Sequence, residues 1–276
     1  MTVTLTTDFG TEDGYVAALK GAMLRVAPQA RFVDVSHAVP TQDVMGAAYV
    51  LRHAAPAFPE GTVHLVVVAP GLGAGRPLAA RFVPRGADRE HLFVGPDNGV
   101  LSLISEGPPV RAVVLDRPEK WGPGRGASAL SGRDVLAPVA AHLASGAALH
   151  EVGSTTDEIE TLRWALPRAD EQGVDGWVVH VDHFGNCITN VRRETVEAHR
   201  AGREVKVYAG STILRGVAPR RGEGTEPAAV FGREGALEIG VPRGHAASLL
   251  SLRRGSAVRL VFEARPGRPR RLADAG

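Results

Sequence analysis

Val66-Val67-Val68-Ala69-Pro70-Gly71-Leu72-Gly73-Ala74-Gly75-Arg76 is the stretch that decides the fold. Its β-branched run reaches back to Val63. Such a run reads as a strand buried on both faces, as inside a parallel sheet. Pro70, Gly71 and Gly73 stop the strand and force a tight turn. In open α/β sheets, ligands sit beyond the carboxyl ends of the strands. Chemistry is therefore expected at this turn. Arg76 is its only charged side chain, and Ala69 occupies the strand end where a catalytic group could sit.

Working outward, Val3 to Thr7 is a short strand that runs into Asp8-Phe9-Gly10. Val16, Leu19, Met23 and Val26 follow at helical spacing, with Pro28 just beyond. Phe32 to Val35 is a second strand. Asp43 is placed to cap a helix whose inner face is Val44, Ala47, Ala48 and Leu51. Leu78 to Phe82 and His91 to Val94 are further strands, Gly95-Pro96-Asp97-Asn98-Gly99 a turn, and Asp134 the start of a helix. Alternating strands and helices predict an α/β N-terminal domain with a mostly parallel sheet over residues 1–165.

The pattern changes at the polar stretch 166–173, read as a linker. Six strand-type runs with little helix then follow over 174–265. They predict a smaller all-β, barrel-like C-terminal domain. Residues 266–276 read as a tail.

At 276 residues with 44% hydrophobic side chains, the chain can build a proper core. A net charge of +2 gives no argument for nucleic acid or an anionic membrane as partner. Cys187 is the single cysteine, which leaves no internal disulfide and no cysteine metal cluster. The ten histidines show no metal spacing, so no metal is expected. The N-terminus lacks a signal-peptide pattern and no run reaches membrane-spanning length, so the expected location is cytoplasmic.

Several residues can carry chemistry, each with a plainer alternative. Asp8 can accept hydrogen bonds from a ribose diol, or from its own turn. The Gly71–Arg76 turn is neither a phosphate loop nor a dinucleotide fingerprint. In Asp182-His183-Phe184-Gly185-Asn186, Asp182 can hold an ammonium, Phe184 can stack on a flat ring and Asn186 can read a base edge. The same five residues are good hairpin-turn chemistry. Ser131 sits in no nucleophile elbow.

Together these motifs resemble the S-adenosylmethionine hydroxide adenosyltransferases and their halogenase relatives. The pieces are Thr6-Thr7-Asp8-Phe9-Gly10, Tyr15 to Gly21, Asp34-Val35-Ser36-His37, Gly95 to Gly99, Ser131-Gly132-Arg133-Asp134 and Asp182 to Asn186. The resemblance implies a homotrimer with sites at subunit interfaces. It also implies attack on the ribose 5′-carbon of S-adenosylmethionine with loss of methionine, S-adenosylmethionine being substrate and no cofactor being needed. By the same resemblance Asp8 holds the ribose, Asp182 the methionine ammonium, Phe184 and Asn186 the adenine, and Arg76 belongs to the hydrolase Asp-Arg-His set.

The other two members of that set differ, as Ala69 and Ser131 stand where the hydrolases carry aspartate and histidine. Gly232-Arg233 replaces the family's Asn-Ser, and Arg233 is a candidate for the methionine carboxylate. Gln42 stands where many relatives carry an aromatic residue. Water gains from a polarising group, whereas chloride needs only a donor-lined hole. Three readings follow: hydrolysis using Arg76 and Ser131, chloride transfer giving 5′-chloro-5′-deoxyadenosine, or adenosyl binding without chemistry. Hydrolysis to adenosine is the leading expectation.

Overall fold

The structure, a computed structural model, describes residues 1–68, 75–84, 86–105, 107–123, 132–162, 165–219 and 224–263. Two compact units divide the chain, Met1–Arg163 and Trp164–Gly276.

The N-terminal unit runs β1 (Thr2–Thr7), α1 (Tyr15–Val26), β2 (Arg31–Ser36), α2 (Val44–Ala54), β3 (Val63–Val67), β4 (Pro77–Phe82), β5 (His91–Pro96), β6 (Arg111–Val114), α3 (Ala137–Ala144), α4 (Leu149–Val152) and β7 (Ser154–Thr156). The sheet order is β2-β1-β3-β5-β4-β6-β7. β2, β1, β3 and β5 are parallel, while β4, β6 and β7 are joined by antiparallel ladders. The sheet is thus mixed, with its parallel half around β3. All five β3 residues are buried, as the valine run requires.

Successive strand residues face opposite sides, and both sides are covered. Val3, Leu5, Val63, Leu65 and Val67 join a core with α1 and α3. Val66, Val68, Leu78, Ala80, Phe82 and Phe93 join a second core with α2. Helix α1 buries only Leu19 and Met23 of its apolar set. Asp43 occupies the N-cap position of α2 without a side-chain capping bond. The segment after Gly99 forms a single 3-10 turn, Leu101–Leu103. The helix expected from Asp134 is entered through a π turn, Gly132–Leu136.

The C-terminal unit runs β8 (Arg168–Ala169), β9 (Gly173–Val181), β10 (Cys187–Arg192), α5 (Arg193–Arg200), β11 (Val205–Ala209), β12 (Thr212–Leu214), β13 (Val217–Ala218), β14 (Ala228–Phe231), β15 (Ala236–Gly240), α6 (Ala246–Leu249) and β16 (Ala257–Phe262). Its strands form a nearly closed, barrel-like sheet in the order β12-β11-β16-β9-β10-β15-β14-β13, with β8 paired to β9. The stretch read as a linker therefore contributes a short strand. Helix α5 was not anticipated: it is strongly charged and buries Val196 alone, too little for an apolar period to be visible.

Cys187 is fully buried at the start of β10. Burial, helped by the nearby Asp182 charge, pushes its thiol up to about 11. The thiolate is the reactive form, so native protein should give no fast reaction with a thiol reagent at pH 7.5. Denatured protein should give one equivalent. A full equivalent from the native state would contradict this burial.

Candidate active site

Thr7 of β1 pairs with Val67 of β3, so Asp8 follows β1 beside the point where β3 ends at Val67. Asp8 is half-buried and its Oδ2 accepts the Gln42 N–H at 2.9 Å. Gln42 has φ 65°, a left-handed conformation uncommon outside glycine and often found at binding sites. No described residue bonds Asp8 Oδ1, which leaves that oxygen as an acceptor.

The neighbours of Asp8 are held by His37. Its Nδ1 is 2.9 Å from Thr7 Oγ1, and its carbonyl accepts the Gly10 N–H at 2.8 Å. His37 Nε2 lies 3.1 Å from Asp34 Oδ1, close in distance but without hydrogen-bond alignment. Lys20 Nζ donates to Asp34 Oδ2 at 2.7 Å. Burial works against the Asp34 charge, but the Lys20 and His37 contacts outweigh it and hold the carboxyl below its usual range.

Arg76 enters β4 and is tied into its own unit. Nε donates to Asp97 Oδ2 at 2.9 Å, and Nη2 donates to Thr156 Oγ1 at 3.4 Å and to the Glu158 carbonyl. Asp97 Oδ1 accepts the Glu160 N–H at 2.7 Å. Two Nη1 donors remain without a described partner. Gly75 has φ 82°, and a Cβ there would overlap the Asp97 carbonyl, so this end of the turn requires glycine. Asn98 donates from Nδ2 to the Val68 carbonyl at 2.8 Å, pinning the end of β3. Ala69, Leu72 and Ser131 lie outside the described residues. Gly132, next to Ser131 in sequence, has no room for a side chain against Val67.

In the C-terminal unit, Asp182 to Asn186 form the turn between β9 and β10. Asp182 Oδ1 accepts the N–H groups of Phe184 at 3.0 Å and Asn186 at 2.8 Å. Its Oδ2 accepts Asn186 Nδ2 at 2.7 Å. A carboxylate has about four acceptor directions, so one remains on Oδ2. Asn186 is nearly buried, whereas Phe184 is 73% exposed, a ring presented at the turn's tip. Gly185 has φ 82° and packs directly under the His245 ring. The Gly185 carbonyl accepts the Ala247 N–H at 2.9 Å, docking the turn on α6.

Arg233 is not brought to this turn. Cys187 of β10 pairs with Ile239 of β15, and Arg192 pairs with Ala236. The Asp182 turn precedes Cys187, and Arg233 precedes Ala236, so the two stand beyond opposite ends of β10. At ~3.3 Å per residue, six residues make that separation roughly 17 Å or more. Only an extended ligand could touch both. The side chain placed beside Asp182–Asn186 is His245, for which the sequence offers no local signal.

Among the described residues, no group of three or more His, Cys, Asp or Glu is arranged to hold a metal. No described helix is long and apolar enough to cross a membrane.

A carboxylate with a free oxygen at the carboxyl end of a parallel strand stands where α/β proteins bind small ligands. Sequence comparison narrows that class. Residues 3–153 match the S-adenosylmethionine hydroxide adenosyltransferase N-terminal domain, and residues 176–259 match its C-terminal domain. A (R)-S-adenosyl-L-methionine hydrolase of Thermus thermophilus is 40% identical over 92% of this chain and 97% of its own. A fluorinase of Actinoplanes is 30% identical over 72% of this chain and 74% of its own. The structure of an uncharacterized conserved protein from Thermotoga maritima superposes with TM-score 0.79 at 31% identity, covering 94% of this chain and all of that one. The chain belongs to the S-adenosylmethionine hydroxide adenosyltransferase family.

Proposed function

We propose that this protein hydrolyses S-adenosylmethionine to adenosine and methionine. Water oxygen bonds to the ribose 5′-carbon as the C–S bond breaks. The sulfur keeps the electron pair and becomes the neutral thioether of methionine, and the water proton passes to solvent. The observation that carries the reading is the extent of the likeness to hydrolases, 40% over nearly the whole chain for one, against about 30% over a smaller part for a fluorinase.

The geometry supports specific roles. Asp8 takes the ribose hydroxyls on Oδ1, Asp182 the ammonium on its remaining acceptor, and Phe184 the adenine face. Asn186 Nδ2 gives one N–H to Asp182, which leaves its amide oxygen and its second N–H for a base edge. Arg76 acts from the edge of the site, because most of its donors already tie Asp97, Thr156 and Glu158. Arg233 takes the carboxylate only if the ligand runs the length of β10. Ser131, which by the resemblance stands at the hydrolase histidine position, is the candidate to orient water.

The sulfonium is already a good leaving group, so the protein needs chiefly to align water and exclude the rest. Incubation with (R)-S-adenosylmethionine, with and without chloride, tests the reaction class. Adenosine in both buffers is expected. Chloro-deoxyadenosine in the chloride buffer, or no product at all, would overturn it.

Asp8→Ala removes a charge-assisted acceptor and should weaken adenosine binding by about 1.5–3 kcal/mol, read by calorimetry. Unchanged affinity in the folded variant would end the ribose assignment. The proposal also includes a homotrimer, and a single-chain mass by light scattering would exclude it.

A further inference from the structure

We propose that His37 is a positioning residue for Asp8, and that Asp34 and Lys20 act through it. The inference rests on the reading of Asp8 as the ribose acceptor. A carboxylate on a loop recognises a diol well only if its oxygen is aimed to within a fraction of an ångström. Something must therefore fix the segment Asp8–Gly10, which lies beyond Thr7, the last residue of β1 paired in the sheet.

One residue brackets that segment from both sides. The His37 ring meets Thr7 Oγ1, immediately before Asp8. The His37 carbonyl takes the N–H of Gly10, two residues after Asp8. Thr7 Oγ1 in turn accepts the Phe9 N–H at 3.4 Å. The donor directions form a consistent chain. With the Nε2 proton on the side of the Asp34 carboxylate, an electrostatic contact at 3.1 Å rather than an aligned hydrogen bond, Nδ1 is left as an acceptor for the Thr7 hydroxyl. The Thr7 lone pairs then face Phe9. Asp34 is itself fixed by Lys20 from α1. A helix, an edge strand and a turn thus converge on two residues either side of one carboxylate.

A plain structural role is the competing explanation for a buried histidine, since His37 is only 8% exposed. It differs in where the loss would appear. The His37 ring meets β1 only at its last residue, Thr7, where the strand gives way to the Asp8 loop. Removing it should loosen the Asp8 loop more than the fold.

The test is a binding cycle on the full chain, with adenosine as probe and the melting temperature recorded for each variant. His37→Ala should weaken adenosine roughly tenfold, the worth of one or two neutral hydrogen bonds. Adding Asp8→Ala should then cost much less than it does alone, because the two act on one contact. His37→Asn, whose amide reaches the Nδ1 position, should recover most of the affinity. Thr7→Val should reproduce part of the loss while keeping the imidazole, so the test stands even if His37→Ala fails to fold. Losses from Asp8→Ala and His37→Ala that simply multiply would overturn the proposal. So would His37→Asn and Thr7→Val binding unlike these expectations while Asp8→Ala still weakens adenosine. Unchanged affinity in Asp8→Ala alone would instead remove the ribose reading, and this proposal with it.

Discussion

Ala69→Asp combined with Ser131→His is expected to raise adenosine production on the order of a hundredfold, the low end of what a positioned acid–base group contributes. By the resemblance read from the sequence, these two positions correspond to the water-polarising aspartate and histidine of the hydrolases. Either change alone should achieve far less, because groups that act as a unit are strongly non-additive. The outcome also separates hydrolysis from halide transfer. A new carboxylate beside an anion hole repels chloride, so a chloride transferase would lose activity on Ala69→Asp. Adenosine and chloro-deoxyadenosine should be measured for the wild type, both single variants and the double, with and without chloride. A double variant that folds and binds normally but makes no more adenosine would show that the missing pair is not what limits this protein.

The second large effect lies away from the site. Thr4 Oγ1, His64 and His91 form a buried chain, with 2.8 Å from Thr4 to His64 Nδ1 and 3.0 Å from His64 Nε2 to His91 Nδ1. His64 is fully buried, and its ring stacks on Phe93 with centroids 4.8 Å apart. Burial, with the His91 charge adding to it, pushes His64 down to about 3. His91 is lowered too, by burial, against the opposing pull of Glu60 and Asp88. The His64 ring must stay neutral in the fold, and His91 is biased the same way, while the unfolded chain takes up protons near pH 6.5. The stability that the neutral His64 contributes is therefore present above pH 6.5 and is lost as the pH falls from there toward 3. Between pH 7 and pH 4 the loss from His64 alone should be roughly 3 kcal/mol, at 1.36 kcal/mol per unit. Denaturant unfolding of the wild type and His64→Leu at both pH values isolates the term. The variant is less stable at pH 7 but should lose about that much less on acidification. Parallel losses in both proteins would rule out the buried pair as the acid-sensitive element.

The apolar patterns were legible because they are local. The valine run at Val63–Val68 could only be a doubly buried strand, and both of its faces are covered in the fold. Leu19 with Met23, and Ala47 with Ala48 and Leu51, repeat at helical spacing and are buried as that spacing requires. The shift from alternating elements to successive strands marked the all-β half. Asp8 and the Asp182–Asn186 turn could also be singled out, since a strand end and a hairpin turn are defined by adjacent residues.

What the sequence left undecided depends on partners far away in the chain. The insertion of antiparallel β4 between β5 and β6 follows from ladders that local periodicity does not encode. Arg76 looked like a free catalytic charge, but its guanidinium meets Asp97, Thr156 and Glu158, from 21 to 82 residues away. Arg233 looked like a neighbour of the methionine site, and the register of β10 on β15 sets it beyond the opposite end of the strand. His37 reads as an ordinary turn residue until the parallel pairing of β1 with β2 carries it to Thr7 and Gly10. Local sequence fixes which backbone a segment prefers. Which side chains meet is set by strand order and register, and only the packed chain determines those.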